Sequence, residues 1–197
     1  MRQVRIVYVD DDLDIELSKF LGSYKYDSID VRYEEVQFNP SEDYLQLLCN
    51  ESITTANVII IDSKLFEDSK AKKKFSGEEM KLLIKKAFPF IEVIVITSNE
   101  INVGVNTSKY SQRKHTGTPS EFYNSQLSPI VVHAINNVLV SRDLADKIKK
   151  NKGIDKLLAE RIVDSLDGED RFDGISKSDI DSVIEAFKSL QSDLKEA

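Results

Sequence analysis

Three consecutive aspartates, Asp10-Asp11-Asp12, end the β-rich run Val4-Arg5-Ile6-Val7-Tyr8-Val9. One of them could cap a following helix and favour its dipole. Three together are an excess of negative charge that calls for a cation. A second run, Val58-Ile59-Ile60-Ile61, ends in a single Asp62, and a third, Ile91 to Ile96, ends in Thr97-Ser98. A fourth candidate strand, Val103 to Tyr110, carries Lys109 near its end. Acids, a hydroxyl and an ammonium thus recur at strand ends. Asp62 could also be a plain strand stop, and Lys114 stands close enough to compete with Lys109 for any role. His115 and His133 have no Cys or His partner at ligand spacing and read as structural.

The elements that must carry these residues alternate. After the first strand, Leu13, Leu17, Phe20 and Leu21 follow a helical period that ends near Gly22. Ile29 to Phe38 reads as a second strand, with Glu34 and Glu35 marking an edge position. Pro40-Ser41 opens a short helix through Leu48. The β-branched run before Asp62 is expected of a strand buried on both faces of a parallel sheet. A polar stretch, 67–74, precedes Ser76-Gly-Glu-Glu79, whose spacing is that of a capping box. The helix it opens carries Met80, Leu83, Ile84 and Ala87 and closes at Pro89. Thr118-Pro119-Ser120-Glu121 is a second capping box, and Ser128-Pro129 opens a helix with Val131, Ile135, Val138 and Leu139 on one face. Alternating strands and helices predict a doubly wound α/β fold with a parallel sheet. Such sheets bind ligands at the carboxyl ends of their strands, where Asp10–Asp12, Asp62 and Thr97 all fall.

Composition narrows the class. The chain has 197 residues, 7 Gly and 4 Pro, too few of the last two for a collagenous or linker-rich chain. No apolar run approaches the roughly 20 residues of a membrane span, and no signal peptide is visible. The lone Cys49 fits a reducing cytoplasm and reads as a buried structural residue. The net charge of −7 is spread along the chain, so nucleic acid is not the expected partner.

The ordered set "VYVDDD", "VIIID", "SGEEMKLLIKKAFPFIEVIVITS" and "SKY" resembles the receiver domain of two-component response regulators over roughly residues 3–140. The resemblance implies a five-stranded, flavodoxin-like sheet. It gives Asp10 and Asp11 to a Mg²⁺ site and makes Asp62 both a metal ligand and the phosphoacceptor. It pairs Lys109 with the phosphoryl oxygens and has Thr97 sense the phosphate. It also implies a cytoplasmic signalling protein fed by a histidine kinase or phosphotransfer protein, whose only catalysis is its own phosphorylation. The chain departs from the family pattern in three places. Eleven residues separate Thr97 from Lys109, so the fourth helix is shortened or missing. Asn106 stands where a switch aromatic is usual, and Tyr110 where Pro commonly follows the Lys. Residues 111–118 are an insertion.

Two rival readings fit the same residues. A pseudo-receiver would bind partners without phosphorylation. A haloacid-dehalogenase-like phosphatase would use Asp10-x-Asp12 with Thr97, but it leaves Asp62 without a role. Residues 1–140 form the expected receiver and residues 141–197 a helical extension with two apolar stripes, Ile154 to Leu166 and Ile180 to Leu194. Asp167-Gly168 separates the two stripes. The extension is expected to bind a second copy or a protein effector. Its acid excess argues against a helix-turn-helix, and Asp167 to Gly174 lacks the ligand spacing of a calcium loop.

Overall fold

The computed structural model describes residues 2–27, 29–39, 44–65, 76–99, 104–151, 153, 156, 159–160 and 162–163. The elements run β1 (Gln3–Asp10), α1 (Ile15–Gly22), β2 (Asp30–Gln37), α2 (Tyr44–Leu48), α3 (Glu51–Thr54), β3 (Val58–Asp62), α4 (Gly77–Ala87), β4 (Glu92–Thr97), β5 (Thr107–Ser108), α5 (Pro119–Gln126) and α6 (Ser128–Lys150). All five strands pair in parallel, in the order β2-β1-β3-β4-β5. This is the flavodoxin-like doubly wound order, with its switch point between β1 and β3. The expected fold class is therefore the one observed.

Alternation along β1 and β3 divides the core in two. Ile6, Tyr8, Val58 and Ile60 face α1, α5 and α6 with Leu17, Leu21, Tyr123, Val131 and Ile135. Val7, Val9, Ile59 and Ile61 face α2, α3 and α4 with Leu47, Ile53, Met80 and Ile84. Both faces of the central strands are covered, which is why these runs are almost wholly apolar. β2 is an edge strand, and its residues are half-buried or exposed. That accounts for Glu34 and Glu35.

Helix starts follow the capping rules. Asp14 caps α1, its carboxylate accepting from the Leu17 N–H at 2.9 Å. Capping thus falls to the fourth acid of the run and leaves Asp10–Asp12 out of it. Ser76 and Thr118 form full capping boxes with Glu79 and Glu121. The Thr118 donors hold the Glu121 carboxyl below the usual carboxylate range. α6 crosses the 140/141 boundary without a break. Ala145 is buried, and the Arg142 guanidinium donates to the Gln3 carbonyl at 2.6 Å, so this stretch of α6 stays on the sheet.

Two expectations need correction. Cys49 is exposed, because α2 turns Leu47 and Leu48 inward and carries Cys49 to the outside of its end. The fifth strand is two residues, shorter than Val103–Tyr110. The Asn106 side-chain oxygen takes the Val95 N–H at 2.9 Å, while its own N–H reaches the Val95 carbonyl at 2.8 Å. A side chain thereby replaces a rung of the ladder. Among the described residues no helix lies between β4 and β5. Pro40-Ser41, the 67–74 stretch, Val103 and nearly all of the two tail stripes, with the Asp167–Gly174 segment, lie outside the described residues. Among the described residues no helix is long and apolar enough to cross a membrane.

Gly77 opens α4 in contact with the backbone that carries Asp62. Its N–H donates to the Ser63 carbonyl at 2.8 Å, and a Cβ there would lie 2.3 Å from the Asp62 carbonyl oxygen and 2.9 Å from Ser63 Cα. An alanine in a helix is ordinarily favoured over glycine. Here it must push α4 from the end of β3. Gly77→Ala should destabilise the fold by about 1–3 kcal/mol in urea unfolding, the usual cost of overpacking. An unchanged or raised midpoint would show that α4 shifts freely.

Candidate functional site

The sheet order brings three strand ends together. Asp10 ends β1, Asp62 ends β3 beside it, and Lys109 follows β5 beyond β4. Asp10 and Asp62 are buried, as is Lys109, at 9% exposure. The Lys109 ammonium bridges them, with Nζ 2.6 Å from Asp10 Oδ2 and 2.7 Å from Asp62 Oδ1. Its backbone N–H donates to the Thr97 carbonyl at 2.7 Å, which registers the lysine against β4. Burial alone would lower the ammonium's pKa. The charges of Asp62 and Asp10 outweigh it and hold the pKa above the ordinary lysine value.

Asp11 is half-buried beside them. One carboxylate oxygen from each of Asp10, Asp11 and Asp62 falls in a group within 4.8 Å of one another. Burial, then the neighbouring Asp10 carboxylate, pushes the Asp11 carboxyl up. Three acids thus face one ammonium, and the site carries surplus negative charge. Asp12 is exposed on the loop, where its N–H donates to Asp10 Oδ1 at 3.2 Å. The second oxygen of Asp62 accepts the Lys64 N–H at 2.7 Å.

Thr97 is buried at the end of β4, and its hydroxyl oxygen accepts the Asn99 N–H at 3.2 Å. Its strand lies next to that of Asp62, whose register partner is Ile96. Lys114 is placed otherwise. It is exposed, and its ammonium donates to the Ser98 carbonyl at 3.3 Å. His115 stacks on Tyr110 and packs on Phe122, while His133 meets Asn137 at 3.4 Å on the same helix.

One residue of the site escaped the sequence reading. Tyr8, fully buried in β1, donates its hydroxyl to Asp10 Oδ2 and accepts the Asp14 N–H at 3.2 Å. Burial first, and the Asp10 charge next, raise its pKa far above the ordinary phenol value. A signal was present: a buried tyrosine hydroxyl needs a polar partner, and Tyr8 stands among Val and Ile two residues before Asp10. Tyr110 also differs from a passive substitute. Its N–H donates to the Tyr123 hydroxyl at 3.0 Å and its own hydroxyl to the Gly117 carbonyl at 2.7 Å, fastening the 111–117 loop to α5.

No family model and no curated protein matches the chain. Among solved structures it is similar to RcsB from Salmonella enterica serovar Typhimurium bound to promoter rprA in the presence of the phosphomimetic BeF3⁻. Identity is 20%, covering 68% of this chain and 98% of that one, with a TM-score of 0.42. It is also similar to the two-component response regulator RcsB in a DNA complex, at 18% identity over 100% of this chain and 90% of that one, TM-score 0.40. A third, Salmonella RcsB on promoter P1flhDC, is 17% identical over 82% and 88%, TM-score 0.39. Those proteins are bound to DNA, and the expectation from net charge that nucleic acid is not a partner is withdrawn. Charge summed over a chain does not describe any one face of it. The parallel strand order β2-β1-β3-β4-β5, with acids ending β1 and β3, a threonine ending β4 and a lysine following β5, gives the chain the flavodoxin-like doubly wound fold.

Proposed function

We propose that the chain is a phosphoacceptor receiver in which Asp62 takes up a phosphoryl group in a Mg²⁺-dependent reaction. The observation that carries this reading is the buried ammonium of Lys109 held between Asp10 and Asp62, with Asp11 alongside. A structural ion pair needs one acid and one base. Here two buried acids share one base and a third acid adds unbalanced charge.

The donors fit a hard cation. All three are carboxylates, with oxygens close enough to share one ion, and Mg²⁺ prefers such ligands while keeping several waters. Asp10, Asp11 and Asp62 would hold the ion, which would supply positive charge to the phosphoryl oxygens when bound. Asp62 is the nucleophile: a carboxylate oxygen forms the new O–P bond as the bond to the donor's leaving group breaks. The donor is of the phosphohistidine or acyl-phosphate class. The Lys109 ammonium keeps its contact with Asp10 Oδ2 and turns from Asp62 Oδ1 to the charge that develops on the transferred group. The Thr97 hydroxyl, at the end of the next strand, hydrogen-bonds the phosphate once it has formed in this reading. The Lys64 N–H keeps the other oxygen of Asp62 oriented.

Intact-mass and peptide mapping after incubation with acetyl phosphate and Mg²⁺ should show one phosphoryl group, on Asp62. Asp62→Asn should lose it while keeping the fold. Mapping to Asp10 would point instead to a phosphatase-like nucleophile, and no label at all to a pseudo-receiver. Lys109→Ala should weaken labelling more than Lys114→Ala, whose lysine sits outside on the Ser98 carbonyl. Equal losses would overturn the assignment.

Stability gives a second readout. Lys109→Ala leaves two buried carboxylates without their counter-charge and should cost about 3–5 kcal/mol in the absence of divalent cation. Mg²⁺ should raise the melting temperature of the parent chain, following RT ln(1 + [Mg²⁺]/Kd). Asp11→Ala should abolish that response. A parent chain indifferent to Mg²⁺ would remove the metal from the reading.

A further inference from the structure

The Tyr8 hydroxyl has no latitude in what it does. Its oxygen accepts the Asp14 N–H at 3.2 Å, so its single proton is directed to Asp10 Oδ2. The Lys109 ammonium reaches the same oxygen at 2.6 Å. A carboxylate offers about four lone-pair sites, two on each oxygen. Two donors therefore occupy Oδ2, while the Asp12 N–H reaches Oδ1 at 3.2 Å. The remaining acceptor capacity of Asp10 is on Oδ1. Tyr8 is fully buried and packed in the core, so the hydroxyl cannot swing away to release Oδ2.

This has a consequence for which ion the site accepts. Ca²⁺ takes six to eight oxygens and commonly binds carboxylates through both oxygens, whereas Mg²⁺ demands a strict octahedron and takes them singly. We propose that Tyr8 is a specificity-determining residue of the cation site: with Lys109 it occupies Asp10 Oδ2, confines Asp10 to one-oxygen ligation, and so favours Mg²⁺ over Ca²⁺. The inference rests on the reading of Asp10, Asp11 and Asp62 as a cation site. Tyr8 acts through Asp10 and touches neither ion nor phosphoryl group.

The test is the ratio of two affinities, which a loss of packing alone would leave unchanged. Dissociation constants for Mg²⁺ and Ca²⁺ are measured separately by calorimetry on the full chain and on Tyr8→Phe. Removing the hydroxyl frees a lone pair on Oδ2, and the Ca²⁺ constant should fall relative to the Mg²⁺ constant by about tenfold, the lower end of effects seen when a partner of a metal ligand is removed. Equal changes in both constants, or none, would overturn the proposal. A parent chain that binds neither ion would overturn the cation-site reading itself. If Tyr8→Phe does not fold, proton NMR of the parent chain decides. The slowly exchanging Tyr8 hydroxyl proton should persist at saturating Mg²⁺, and its disappearance would mean that Oδ2 is released and the proposal fails.

Discussion

Two buried carboxylates at adjacent strand ends repel one another, and neither can be withdrawn from water without an opposite charge in contact. Lys109 is that charge. Its desolvation is costly on its own, but Asp62 and Asp10 together more than offset it. The constraint reaches across the sheet. Asp62 comes from the central strand, Asp10 from its neighbour, and Lys109 from just after the fifth strand, so β1, β3, β4 and β5 must all keep register for one ammonium to meet both acids. The bond from the Lys109 N–H to the Thr97 carbonyl is the tie that holds that register at the sheet's edge.

That edge is built economically. β5 is two residues long, and Asn106 supplies the preceding contact to β4 with a side chain. The same Asn106 oxygen also receives the Lys81 ammonium from α4 at 3.3 Å. Burial is the largest influence on that ammonium and lowers its pKa. Asn106 is thus a polar clamp between β4, β5 and α4. On the other side of Lys109, Tyr110 locks into the Tyr123, Phe122 and His115 cluster, and Lys114 ties the loop back to Ser98 beside Thr97. The 111–117 loop therefore touches the segments on both sides of the site, through Tyr110 next to Lys109 and through Ser98 next to Thr97.

The approach of α4 sets the remaining wall. Gly77 packs on the backbone of Asp62 and Ser63, and Glu78 accepts the Ser63 hydroxyl at 2.9 Å. The loop that follows Asp62 is thus held from below by a helix N-terminus whose first residue has no side chain. A glycine inside a capping box reads in sequence as a neutral choice; only the distance to Asp62 shows that the position excludes a Cβ.

The sequence by itself determined the doubly wound class, the covered central strands, the two capping boxes at Ser76 and Thr118, and the fact that acids, a hydroxyl and a lysine stand at strand ends. These follow from local rules: period, β-branching and capping spacing act over a few residues. Tertiary structure decided the rest. Whether Lys109 or Lys114 faces the acids depends on where a two-residue strand stops, which turns on one Asn side chain. The burial of Tyr8 against Asp10, the exposure of Cys49 and the need for glycine at position 77 depend on what lies across the fold. Contacts between residues about 15 to 100 positions apart are set by sheet order and helix approach, and no local pattern encodes them.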